Sequence, residues 1–324
     1  MTLLDVQNLK MYYSTLRGPV RAVDQVSFQV EKAEGLGLAG ESGCGKTSVA
    51  LSLLKILPPN GRILGGKILL HDKDLVKFKE EKMRKEVRWK GISLVFQGAM
   101  NAFNPVYRVG DQIVEAISLH EPKVSKEEAK KRVNKLLETV GVDPSRADNY
   151  PHEFSGGMKQ RAMIAMALAS NPDLLIADEP GTALDVIVQA QVLKLLRELK
   201  EKLQLGMILI THDLSIITET CEKLAIMYAG KIVEYGNIVT IFKEPLHPYT
   251  QGLIGAFPSI KAKKTRMTSI SGSPPNLQNP PRGCRFYPRC PYAMDICRSE
   301  EPKSIEVTND HRVACYLIAA KGDD

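Results

Sequence analysis

One eight-residue run, Gly40-Glu41-Ser42-Gly43-Cys44-Gly45-Lys46-Thr47, restricts the fold more than anything else in the chain. It follows the apolar segment Leu36 to Ala39 and opens a helical pattern from about Lys46 to Leu57, which Pro58-Pro59-Asn60-Gly61 stops. Strand, glycine-rich turn and helix in that order form a phosphate-binding loop. Glycines let backbone N–H groups wrap the phosphates, and the helix N-terminus adds a favourable dipole. Lys46 is placed to reach the β- and γ-phosphates, and the Thr47 hydroxyl to ligate Mg²⁺. Cys44 reads as a small filler and not as a nucleophile.

Three further segments end in the polar residues that phosphoryl transfer needs. Leu174-Leu175-Ile176-Ala177 is a buried-type strand that delivers Asp178 to a magnesium shell and sets Glu179 beside it to polarise water. Met207 to Ile210 runs into Thr211-His212-Asp213, and Ile92 to Phe96 into Gln97. Taken singly, a strand-end His or Gln is as readily structural as functional. Their common place at carboxyl ends of strands, where open α/β sheets bind ligands, favours function. A long helix from about Asp185 to Lys202 lies between two of these strands, and the alternation predicts a parallel sheet covered by helices.

Elsewhere the pattern differs. The first segment alternates β-prone stretches, Leu3 to Val6 and Val26 to Val30, with turns. Residues from about 100 to 165 read as mainly helical: Ser125-Lys126-Glu127-Glu128 is a capping box, with Val133, Leu136, Leu137 and Val140 at helical spacing and Gly141 as a stop. The run from Lys77 to Lys90 holds seven Lys or Arg, yet Glu80, Glu81 and Glu86 break it. It reads as an exposed, solvated face, and with a net charge of only +7 nucleic acid is not the expected partner. No apolar run approaches the ~18 residues that span a bilayer. The N-terminal MTLLDVQNLK lacks a basic and then apolar leader. A cytosolic chain is expected, unless other subunits hold it at a membrane.

The decisive residues are Phe154-Ser155-Gly156-Gly157-Met158-Lys159-Gln160-Arg161, about twenty residues before Asp178. This stretch resembles the signature motif of ABC ATPases, with Met158 where the common form has Gln. The ordered set of phosphate loop, Gln97, signature, Asp178-Glu179 and His212 resembles that family over some 250 residues. The resemblance implies an α/β P-loop ABC cassette: a mainly parallel core sheet with helices, an antiparallel β subdomain and a helical subdomain over about 100–165. It also implies roles. Tyr13 stacks on adenine, with Tyr12 as the fallback. Gly40 to Ser48 contact the nucleotide, while Thr47, Asp178 and Gln97 attend Mg²⁺. Glu179, Gln97 and His212 act on the attacking water and the γ-phosphate. Ser155, Gly156 and Gly157 contact ATP held by the opposite subunit, and Asp185 in Gly181-Thr182-Ala183-Leu184-Asp185 crosses the dimer interface. One chain then holds half of each composite site. Gly181 stands where the family often has Thr, and Ala99-Met100-Asn101-Ala102 after Gln97 departs as well.

The likeness extends past the cassette. Leu246-His247-Pro248-Tyr249-Thr250-Gln251-Gly252-Leu253, Gly272-Ser273-Pro274-Pro275-Asn276-Leu277 and Gly283-Cys284-Arg285-Phe286-Tyr287-Pro288-Arg289-Cys290-Pro291 resemble the C-terminal extension of oligopeptide/dipeptide importer ATPases. The signature form resembles the "D" member of their two unlike ATPases, implying a heterodimer, two transmembrane permease subunits and an extracytoplasmic substrate-binding protein. The chain would then sit peripherally on the cytoplasmic face of the membrane. Oligosaccharide and nickel are alternative cargoes, and a soluble ABC protein on DNA or ribosomes or a redox- or metal-sensing regulator is a further alternative. The expected division is a nucleotide-binding domain over 1–257 and an extension over 258–324. A polar linker joins them, through Lys261, Lys263, Lys264 and Arg266 to Ser271-Gly272-Ser273-Pro274-Pro275-Asn276.

Of six cysteines, Cys284, Cys290, Cys297 and Cys315 crowd the C-terminal end, with five, six and seventeen residues between them. In a cytosolic chain such a group points to metal before disulfides. Structural zinc usually shows tighter knuckles, whereas iron–sulfur clusters accept four thiolates at more varied spacing. The resemblance implies a [4Fe–4S] cluster. Zinc, and reduced or disulfide-bonded cysteines, remain alternatives.

Overall fold

The computed structural model describes residues 1–98, 102–256, 270–308 and 310–319. Ala99 to Asn101 and the basic linker residues Lys261 to Arg266 lie outside them. The chain divides into two compact bodies. One is formed by Met1–Leu3, Val30–Gly35 and Lys77–Ile210, the other by Leu4–Gln29, Leu36–Val76 and the chain from Thr211 on. The C-terminal segment therefore belongs to the same body as the phosphate loop. The strands in chain order are β1 (Thr2–Thr15), β2 (Gly18–Glu31), β3 (Gly35–Ala39), β4 (Gly61–Leu70), β5 (Lys73–Asp74), β6 (Ile92–Val95), β7 (Leu174–Asp178), β8 (Gly206–Ile210), β9 (Lys223–Tyr228), β10 (Lys231–Asn237), β11 (Ile305–Thr308) and β12 (His311–Val313).

In the body that carries the phosphate loop, an antiparallel sheet is ordered β2-β1-β4-β5. Leu4, Leu9, Met11, Phe28 and Ile68 supply its buried face. β1 and β4 keep antiparallel register from Leu4↔Leu70 to Tyr13↔Gly61, with bulges near Lys10. The same body pairs β3 parallel to β9. β9 pairs antiparallel with β10, and β10 with β12. β3 is buried at all five residues, which is why a short apolar run suffices to define it.

In the other body β6, β7 and β8 run parallel, in register from Ile92↔Leu174 and Leu174↔Gly206. Helices Val109–His120, Lys126–Thr139, Gly156–Ala167 and Val186–Leu203 belong to this body. Ser125 is the N-cap of its helix, its side chain accepting from the Glu128 N–H at 3.2 Å, the first of the two bonds of the expected capping box. Ala129, Val133 and Leu137 form that helix's buried stripe, and Gly141 follows at φ +70°. In Val186–Leu203 the buried positions Val192, Leu195, Leu196 and Leu199 recur at helical spacing. Burying each leucine contributes roughly 1.5–3 kcal/mol. The helix ends where Gln204 turns left-handed at φ +54°.

The basic run behaves as a solvated face. Lys85 pairs with Glu81 at 2.7 Å, Arg88 with Glu80, and Lys82 with Glu86 at 4.0 Å. Among the described residues no helix is long and apolar enough to cross a membrane.

Candidate functional site

The phosphate loop leaves β3 and enters the helix Lys46–Leu54, shorter by one turn than the sequence predicts, because Lys55 adopts φ +50° and closes it. Gly45 is the N-cap, at φ +109°, and no side chain caps the helix or adds negative charge to its first turn. Its first N–H groups therefore lack an internal partner, the condition under which a helix end binds an anion. A Cβ on Gly45 would lie 2.0 Å from the Ala22 carbonyl oxygen, so the loop packs too closely for any other residue. Gly43, at φ +77°, has open space where a side chain would stand. Lys46 is buried and folds under the loop, its Nζ donating to the Gly40 oxygen at 2.7 Å and the Glu41 oxygen at 3.0 Å. Thr47 is exposed. Burial pushes the Cys44 thiol pKa up, an inert state that suits a filler.

Tyr12 and Tyr13 project to opposite faces of β1. The Tyr13 hydroxyl lies 3.0 Å from Ser48 Oγ, at the start of the loop's helix. Tyr12 instead donates to Asp24 at 2.8 Å, and burial together with that bond raises its hydroxyl pKa to about 12. Tyr13 is therefore the tyrosine beside the loop, and Tyr12 is engaged elsewhere. His212 belongs to the same body and is exposed. Thr211 N–H donates to the Leu38 oxygen of β3 at 3.4 Å, and Asp213 caps the following helix by accepting from Ser215 N–H at 2.8 Å. That turn sets His212 at the carboxyl end of the strand that feeds the loop.

The other body holds a second group of residues. Asp178 ends β7 and is buried. Glu179 follows at φ +46°, a backbone region costly for a side-chain-bearing residue, and its N–H donates to the Ile210 oxygen at 2.8 Å. Its Oε2 accepts from Gln97 Nε2 at 2.9 Å and from Thr182 Oγ1 at 3.0 Å. Thr182 N–H also donates to the Glu179 oxygen, at 3.1 Å. The structure thus brings Gln97 to Glu179 as the shared strand-end placement predicts. It adds Thr182, which the sequence shows only as an undistinguished member of a loop.

In the same body Ser155 caps the helix Gly156–Ala167, accepting from Met158 N–H at 3.3 Å. Asp185 caps Val186–Leu203, accepting from Val188 N–H at 2.9 Å. These two helix starts meet: a Cβ on Gly157 would lie 2.6 Å from Val188 Cγ1. Beside them Val186 and Ile187 are 81% and 72% exposed, an apolar pair on the outer surface. A Cβ at Gly181 would meet the side chain of Gln189 at 2.5 Å, so a small residue fits that departure.

The C-terminal segment is fastened by charge and aromatic packing. Arg285 donates to Asp24 and to the Ala229 oxygen, both inside the body. Burial alone would raise the Asp24 pKa, but Lys231, Tyr12 and Arg285 outweigh it and hold the carboxyl below its ordinary value. Phe286 packs on Tyr228, Tyr249 and His247 with ring centroids 5.2, 5.4 and 5.7 Å away. The four cysteines Cys284, Cys290, Cys297 and Cys315 line one narrow cavity with His247, Phe286 and Tyr316, and none is in a disulfide. Burial raises the Cys284 thiol pKa to about 11 and those of Cys290 and Cys315 in the same direction. Among the described residues no three His, Cys, Asp or Glu side chains are gathered closely enough to hold a single metal ion.

Residues 23–182 match the family model for "ABC transporter", and residues 233–297 match "Oligopeptide/dipeptide transporter, C-terminal region". The chain is 46% identical to the oligopeptide transport ATP-binding protein OppD of Bacillus subtilis (strain 168), over 98% of this chain and 89% of that one. It is 45% identical to the dipeptide transport ATP-binding protein DppD of the same organism, over 97% and 94%. It is also 45% identical to OppD of Escherichia coli (strain K12), over 97% and 93%. Among solved structures, cbiO1 from Clostridium perfringens, part of the ABC transporter complex cbiONQ, superposes with a TM-score of 0.64 at 27% identity, covering 75% of this chain and 91% of that one. The dimeric bacterial ABC transporter cassette MJ0796 gives 0.64 at 23%, covering 72% and 98%.

Proposed function

The chain belongs to the ABC transporter family, in its oligopeptide/dipeptide branch, and we propose on that premise that it is the ATP-hydrolysing subunit of a peptide importer. The observation that carries the motor role is the phosphate loop itself: an uncapped helix end with open space at Gly43 and Lys46 folded beneath it. Peptide cargo is supported by likeness to oligopeptide and dipeptide transport proteins that runs through the C-terminal region.

In this reading MgATP is the substrate. Loop N–H groups from Gly40 to Ser48 seat the phosphates, with Lys46 exchanging its loop carbonyls for phosphate oxygens. Thr47 and Asp178 supply oxygens to the magnesium shell, and Gln97 attends it. Glu179 polarises the water that attacks the γ-phosphorus as the bond to the ADP oxygen breaks, and His212 holds the γ-phosphate. Tyr13 stacks on adenine. The backbone strain at Glu179 and its two hydrogen-bond donors support a carboxylate fixed in one orientation. Ser155, Gly156 and Gly157 serve the nucleotide of a second ATPase subunit, with Asp185 at that interface. The exposed Val186 and Ile187 supply apolar surface beside it. An unlike ATPase, two permease subunits and an extracytoplasmic binding protein complete the assembly, which holds this chain at the cytoplasmic face.

Four cysteines lining one cavity would supply the thiolate ligands of a [4Fe–4S] cluster, and their sequence spacing lacks the tight knuckles usual for structural zinc. Such a cluster would supply a cross-link among loops that have little apolar core of their own.

Peptide uptake tests the proposal. Cells lacking this chain should import di- and oligopeptides when given the wild type and not when given Lys46→Ala. Restoration of nickel or oligosaccharide uptake alone would overturn the peptide assignment.

A further inference from the structure

We propose that Arg289 is a positioning residue for the phosphate-binding loop, which it holds through Glu41. Its Nη1 donates to Glu41 Oε2 at 2.7 Å and its Nη2 to Glu41 Oε1 at 2.9 Å, a bidentate pair. The rest of the guanidinium is anchored as well. Nε donates to the Ser271 oxygen at 2.9 Å, Nη2 to the Ile270 oxygen at 3.3 Å and Nη1 to the Tyr228 hydroxyl at 3.3 Å. The Arg289 side chain is 5% exposed, so it is a fixed arm and not a swinging one.

Glu41 is gripped on its backbone too. Its N–H donates to the Tyr249 hydroxyl at 2.9 Å, and Tyr249 is wholly buried. The Glu41 carbonyl is one of the two oxygens that seat Lys46. Three contacts therefore form a chain: Arg289 fixes the Glu41 carboxylate, Tyr249 fixes the Glu41 N–H, and the Glu41 oxygen fixes the loop lysine. None is needed merely to fasten the C-terminal segment, which the Arg285–Asp24 pair and the Phe286 cluster already hold. The loop is the element that gains. A phosphate nest works only if its N–H groups converge before the ligand arrives, and a loop rich in glycine does not hold that shape by itself.

The inference rests on the loop binding nucleotide phosphates, and calorimetric titration of the full chain with MgADP separates the two claims. The wild type should bind. Arg289→Ala and Glu41→Gln should each weaken binding about tenfold, at a loss of ~1.4 kcal/mol. Arg289→Lys should recover part of this, and the double variant should bind no worse than the weaker single one, since both remove one interaction. Additive losses, or a folded Arg289→Ala that binds within about twofold of wild type, would reduce Arg289 to a staple. Should Arg289→Ala fail to fold, Glu41→Gln carries the test alone, and unchanged binding there overturns the proposal. A wild type that binds no MgADP overturns the nucleotide reading itself.

Discussion

His247 makes the fold sensitive to mild acid by an amount that can be worked out in advance. It is wholly buried, and desolvation lowers its pKa from 6.5 to about 4, with the nearby Glu234 offsetting only part of the effect. The geometry agrees with a neutral ring: Nδ1 accepts from Tyr249 N–H at 3.0 Å, which a protonated nitrogen cannot do. Between these values the unfolded chain binds a proton that the folded chain refuses. Stability from this group is therefore complete above about pH 6.5 and is lost as pH falls toward about 4. The loss between neutrality and pH ~5 comes to about 2 kcal/mol, from ~1.4 kcal/mol per unit over the window. The assay is urea unfolding of wild type and His247→Asn at both pH values, since Asn keeps a capping acceptor for the helix Pro248–Gly255. The neighbouring His311–Glu234 pair, 2.8 Å apart, is present in both proteins. Any packing defect left by Asn is also the same at both pH values. The variant should lose about 2 kcal/mol less than wild type on acidification. An equal loss in the two proteins would refute the reasoning.

Two further outcomes follow from the C-terminal segment. Arg285→Met removes the charged donor to buried Asp24, which keeps Lys231 at 3.9 Å, and should lower unfolding free energy by ~1.5–3 kcal/mol in urea titration, with Asp24→Asn in the same chain recovering part; a loss under ~1 kcal/mol would count against a buried anchor. Anaerobically purified protein should contain about four irons and four acid-labile sulfides per chain, lost together on Cys290→Ser; zinc, or no metal, would make the segment an ordinary structural tail while leaving the ATPase reading intact.

What the sequence displays and what it hides divide along a physical line. β3, β7 and β8 are short, continuous apolar runs buried along their length, so they stand out without any knowledge of their neighbours. Ser125, Gly141 and Asp185 act within a few residues of themselves and are equally visible. β4 is not, because its alternation is weak and Gly65-Gly66 interrupts it; only pairing with β1 makes it a strand. The two fourteen-residue strands β1 and β2 extend well past the apolar stretches that announce them, for the same reason. Thr182 shows no signal at all, since its hydroxyl matters only once the turn after β7 brings it to Glu179. The charged contacts that the C-terminal segment makes with the phosphate-loop body join residues 261 and 248 positions apart, Arg285 to Asp24 and Arg289 to Glu41. No local pattern reports such pairs. The cysteine spacing shows a cluster of thiols but not that all four line one cavity.

The measurement that bears most directly on the account is steady-state MgATP turnover by this chain assembled with its partner ATPase and permease subunits, wild type against Glu179→Gln. The account predicts that the variant binds MgATP as tightly as wild type while turnover falls by at least ~10²-fold, the lower range for removing a positioned general base. Turnover undiminished by Glu179→Gln, in a protein that binds MgATP normally, would contradict it.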